Sequence, residues 1–170
     1  EAAAPRTPGA RGRCTQSAGT AARSQMGKAD EHRSDVSLFV RNLLKLADRS
    51  GGIGADVRAE VRTIAREHEQ TGTSTAEAIA KVETRNTIKR LLIGSDYKNL
   101  GAIRSELAKT DNRLERLMVL ASSTTNVAVK AELEAQIALL KDSKVKVEAF
   151  VKTHENAFSV FGWFVKMFNR

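Results

Sequence analysis

The sequence predicts an all-α protein: a long antiparallel helical hairpin, coiled-coil-like, packed with two or three shorter helices behind a disordered N-terminal tail. Three observations lead there. No proline follows Pro8. Beyond the tail, apolar residues recur at steps of three and four rather than in alternation. The interruptions are Gly or Ser/Thr/Asn clusters, which mark turns. At 170 residues, one domain is expected.

Residues 1–25 differ from the rest. They carry Arg6, Arg11, Arg13 and Arg23 against Glu1, hold both prolines and the single Cys14, and contain no Val, Ile, Leu or aromatic residue. Such a stretch cannot offset the entropy of ordering, so residues 1–33 read as a disordered basic tail and 34–170 as one helical domain. Three origins fit the tail: a basic arm, an Arg-rich targeting segment without the usual amphipathic pattern, or sequence upstream of a true start at Met26.

The first helix is expected from about Val36 to Arg49. Ser34 or Asp35 is its N-cap, Val36, Phe39, Val40, Leu43 and Ala47 share a face, and Gly51 and Gly52 end it. A second is expected from Ala55 to Glu69, closed by Gly72. Ser74 and Glu77, at capping-box spacing, open a third that runs to Gly94. The hairpin arms follow at about 96–121 and 127–157. Leu100, Ile103, Leu107, Thr110, Leu114, Leu117 and Ala121 keep heptad steps on the first arm, and Leu133, Ile137, Leu140, Lys144, Val147, Val151 and His154 keep them on the second. The polar break from Ser122 to Asn126 is short enough to return the chain antiparallel. Lys144 and His154 occupy seam positions otherwise apolar. They serve either to fix register or to mark a place where the arms splay and Lys144 snorkels.

The second arm runs into residues 158–170 (FSVFGWFVKMFNR), which hold four of the six Phe residues and the only Trp. Phe158, Phe161, Trp163, Phe164, Val165 and Phe168 would each gain ~1.5–3 kcal/mol on full burial, on the order of 10 kcal/mol together. Something must cover them: the chain's own core, a second copy, a partner protein or a membrane surface. An interfacial helix would place aromatics on one face with Lys/Arg at its rim, which Trp163, Lys166 and Arg170 satisfy in part. Gly162 makes a kink plausible there.

The net charge of +8 falls to +5 without residues 1–25, a modest excess that permits phosphate-bearing partners without demanding them. Three stripes at i, i+4, i+8 are candidates for anion binding: Arg41, Lys45 and Arg49; Arg58, Arg62 and Arg66; Lys81, Arg85 and Lys89. Merged, they would track a phosphate backbone; taken singly, they are solvated helix faces. No aromatic residue interleaves with them, which argues against base stacking.

Nothing in the sequence argues for an enzyme, a cofactor or a small-molecule substrate. His32, His68 and His154 are isolated, without a second His or Cys at metal-ligand spacing. Ser50-Gly51-Gly52-Ile53-Gly54 lacks the Gly-Lys-Ser/Thr ending of a phosphate loop. No apolar run reaches the 18 residues of a transmembrane helix. The expectation is a non-enzymatic scaffold or protein-interaction module, cytoplasmic or at a membrane face, whose aromatic end docks on its own core, a second copy or a partner. Membrane-surface attachment and nucleic-acid binding are the alternatives.

Overall fold

The computed structural model describes residues 27–49, 53–85 and 96–155. Among them are four helices and no strand: α1 (Lys28–Asp48), α2 (Ala55–Glu83), α3 (Tyr97–Ser123) and α4 (Val127–Glu155). Each helix packs antiparallel on the next in a ring, and α4 closes the ring against α1. Side-chain pairs fix the registers. Asp48 meets Arg62 at 2.9 Å across α1–α2, Glu60 meets Arg116 at 2.6 Å across α2–α3, and Asp111 meets Lys144 at 2.7 Å across α3–α4. Across α4–α1, Lys146 lies 3.0 Å from Asp35, and Arg49 pairs with Glu132.

The all-α expectation holds, and the hairpin arms fall where the spacing puts them. Leu100, Ile103, Thr110, Leu114, Leu117 and Ala121 are buried on α3, as are Leu133, Ile137, Leu140, Val147 and Val151 on α4. Both arms are capped locally. The Asp96 carboxylate accepts from the Asn99 N–H at 3.3 Å, and the Asn126 side-chain oxygen accepts from the N–H groups of Ala128 and Val129 at 3.0 and 3.2 Å.

Three boundaries differ from expectation. The first helix starts at Lys28, so residues 28–33 belong to the bundle rather than to a tail. Its cap comes from far away: the Glu83 carboxylate, at the end of α2, accepts from the N–H groups of Lys28 at 2.8 Å and Ala29 at 3.2 Å. The N-cap residue itself, Gly27, has no side chain to announce the start. The expected second and third helices are one, α2, which passes through Gly72 without a break but ends at Glu83, with Thr84 as its C-cap, short of the Gly94 expected. Gly72 is there for contact: a Cβ on it would stand 2.7 Å from Cγ1 of Val36, so the glycine lets α1 and α2 close on each other. Ser74 is therefore mid-helix, donating to the Thr71 carbonyl at 2.9 Å instead of capping.

Candidate functional site

The bundle interior is two apolar cores with a polar layer between them. One core joins the C-terminal half of α1, the start of α2, the end of α3 and the start of α4 around Leu43, Ile64, Leu117 and Leu133. The other joins the opposite ends around Ile79, Leu100, Ile103 and Phe150. Between them all four helices contribute buried polar groups: His32 from α1, His68 and Thr75 from α2, Glu106, Thr110 and Arg113 from α3, and Ser143 from α4.

Arg113, 3 % exposed, organises the layer. It donates to the Glu106 carboxylate at 2.5 Å, the Thr71 hydroxyl at 3.0 Å and the Glu67 carbonyl at 3.2 Å. Its guanidinium also lies 3.5 Å from Nδ1 of His68. Arginine can only donate, so Nδ1 must be an acceptor and the ring neutral. Burial foremost, then the charges of Arg113 and His32, push His68 down to about 3. The ring also packs edge-on against Phe39, centroids 4.9 Å apart. His32 is lowered by burial, with Asp35 and Glu106 pulling the other way and Arg33 adding to the depression. Neither of its ring nitrogens has a hydrogen-bond partner among the described residues. Two cavities of about 20 Å³ each flank this ring, lined in common by His32, Ser143 and Val147.

The layer was only partly legible. His32 and His68 stand out in the sequence as isolated histidines; Glu106 and Arg113 look like two more surface charges. The available signal was position: Glu106 and Arg113 are seven residues apart, so they share one face beside the apolar series.

The basic stripes divide. Arg58 turns inward and donates to the Ile53 carbonyl at 3.1 Å. Arg49 and Arg62 pair with Glu132 and Asp48, and Arg85 lies 3.8 Å from Asp96. Among the described residues, Arg41, Lys45, Arg66 and Lys81 are exposed. Of the third stripe only Lys81 lies on α2, about 22 Å along the axis from Arg66 of the second; Arg85 follows the end of the helix at Glu83. Lys89 lies outside the described residues, as do Phe158, Phe161, Trp163, Phe164, Val165 and Phe168. Of the two polar seam residues, Lys144 bonds Asp111 on the facing arm and Glu148 on its own at 3.2 Å, a clamp between the arms. His154 stacks on Phe150 with centroids 4.1 Å apart, and its Nδ1 lies 2.8 Å from the Phe150 carbonyl.

Among the described residues, two open grooves have apolar side chains in their lining. One, about 520 Å³ between α1 and α2, has Val36, Val40 and Leu44 as its floor and Arg33, Arg41 and Glu69 at its rim. The other, about 390 Å³ between α3 and α4, is lined by Leu114, Met118 and Val145 together with Asp111, Glu115 and Lys141. Among the described residues, no cluster of three or more His, Cys, Asp or Glu is placed to hold a metal ion, and no helix is long and apolar enough to cross a membrane. Comparisons with protein-family models, with curated proteins and with solved structures each find no match.

Proposed function

We propose that the protein is a non-enzymatic helical interaction module whose docking element is the aromatic segment 158–170. The observation that carries this reading is the closure of the ring. The four described helices bury their own apolar faces in two cores, with Leu43, Ile64, Leu100, Ile103 and Leu117 essentially inaccessible to water. The densest apolar stretch of the chain follows directly on α4. The interior supports the same reading. Small-molecule sites typically occupy ~300–1,000 Å³, whereas each cavity beside His32 is about 20 Å³, room for a single water.

Trp163, the only tryptophan, makes the proposal measurable in the intact chain. Its fluorescence is quenched by acrylamide in buffer and again with neutral or anionic vesicles. A docking element covered by protein keeps Trp163 shielded in buffer alone. Trp163 open in buffer and shielded only by vesicles would replace this reading with attachment to a membrane surface.

A further inference from the structure

The geometry points to the groove between α3 and α4 as the surface that receives residues 158–170 of the same chain. This rests on the reading of that segment as the docking element and names where it docks. Met118 and Val145 line the groove and stay 42 % and 61 % exposed, over a floor formed by the buried Leu114. Tyr97, Val119, Val127 and Leu139 of the same helix pair are exposed as well, but none of them lines this groove.

Reach and position agree. The described residues of α4 run to Glu155, where an ion pair with Arg104 ties the helix to α3, so the chain leaves the described structure at the end of this same hairpin. Val145 lies ten residues back along α4, about 15 Å away. Residues 158–170 span about 20 Å if helical and about 43 Å if extended. Either length is enough to reach from Glu155 to the groove.

Charge distinguishes this groove from the one between α1 and α2. The segment carries Lys166 and Arg170 and no acidic residue. The α3–α4 groove is lined by Asp111, Glu115 and Glu148 against Lys141 and Lys144, an excess of one acid. The α1–α2 groove is lined by Arg33 and Arg41 against Glu69, an excess of one base. Like charges would repel the segment there, and opposite charges favour it at α3–α4.

The test uses acrylamide quenching of Trp163 in the full chain, with Val145→Glu and Met118→Glu as separate variants. Leu38→Glu, at another exposed apolar position outside the groove, is the control. Both groove positions are exposed, so the variants keep their helix content, which circular dichroism checks. The expected result is a wild-type Trp163 shielded equally at all protein concentrations, a several-fold rise in quenching in both groove variants, and none in the control. Shielded Trp163 that ignores both groove substitutions overturns the groove while sparing the docking reading. Shielding that appears only as concentration rises assigns the groove to a second copy and overturns the same-chain contact. Trp163 open to quencher in the wild type removes the underlying reading itself.

Discussion

Arg113→Met tests whether the polar layer is held together as described. Arg113 and Glu106 are both buried, 2.5 Å apart, and Arg113 also donates to Thr71 and the Glu67 carbonyl. Removing the guanidinium strands a buried carboxylate, and breaking such a pair from one side costs about 3–5 kcal/mol. Lys109, 3.6 Å from the other Glu106 oxygen, retains some compensation and moves the expectation to the lower half of that range. Against a typical domain stability of ~5–15 kcal/mol this is a large fraction, and it should lower the melting temperature by about 10 °C. Glu106→Leu should cost less, because Arg113 keeps the Glu67 carboxylate at 3.9 Å and its bonds to Thr71 and the Glu67 carbonyl. The double variant should come back to within about 1 kcal/mol of wild type or exceed it, because a well-packed apolar pair avoids the desolvation that the ion pair carries. Urea unfolding of the four proteins gives the coupling energy directly. Single variants within about 1 kcal/mol of wild type, or a double variant whose loss equals the sum of the singles, would refute the claim that these two charges depend on each other.

Three further outcomes follow from the same contacts. His68 titrates near 6.5 when unfolded and is pushed down to about 3 in the bundle, so the unfolded chain binds the proton first. Stability should therefore be flat above about pH 6.5 and fall towards pH 3, by up to about 1.4 kcal/mol per pH unit for this group, with His32 adding in the same direction; His68→Phe should flatten the profile measured by denaturant unfolding. Gly72→Ala gains about 1 kcal/mol of helix propensity but brings Cβ to within 2.7 Å of Val36, so thermal unfolding should show net destabilisation, partly relieved by Val36→Ala. Asp96→Ala removes the α3 cap, and about 1 kcal/mol of stability should go with it in chemical denaturation.

The hairpin was legible because its cause is local. Steps of three and four place Leu100 to Ala121 and Leu133 to Val151 on single faces, and Asp96 and Asn126 cap their own helices. The start of α1 was hidden because its cap is Glu83, 55 residues downstream of Lys28. Gly72 reads as a stop because glycine ends many helices; only the approach of Val36 reveals it as a packing position. The polar layer was hidden for a related reason. Arg113 is held by Thr71 and the Glu67 carbonyl on α2, and Glu106 by Arg113 and Lys109 on α3 itself, and a charge buried by the packing of helices looks identical in sequence to one that faces water.

The most direct test of the docking account is sedimentation velocity of the full chain over a wide concentration range, with Trp163 quenching recorded on the same samples. The account predicts one species of monomer mass with Trp163 shielded throughout. Trp163 that is exposed in the monomer, and covered only as a heavier species forms, would contradict it.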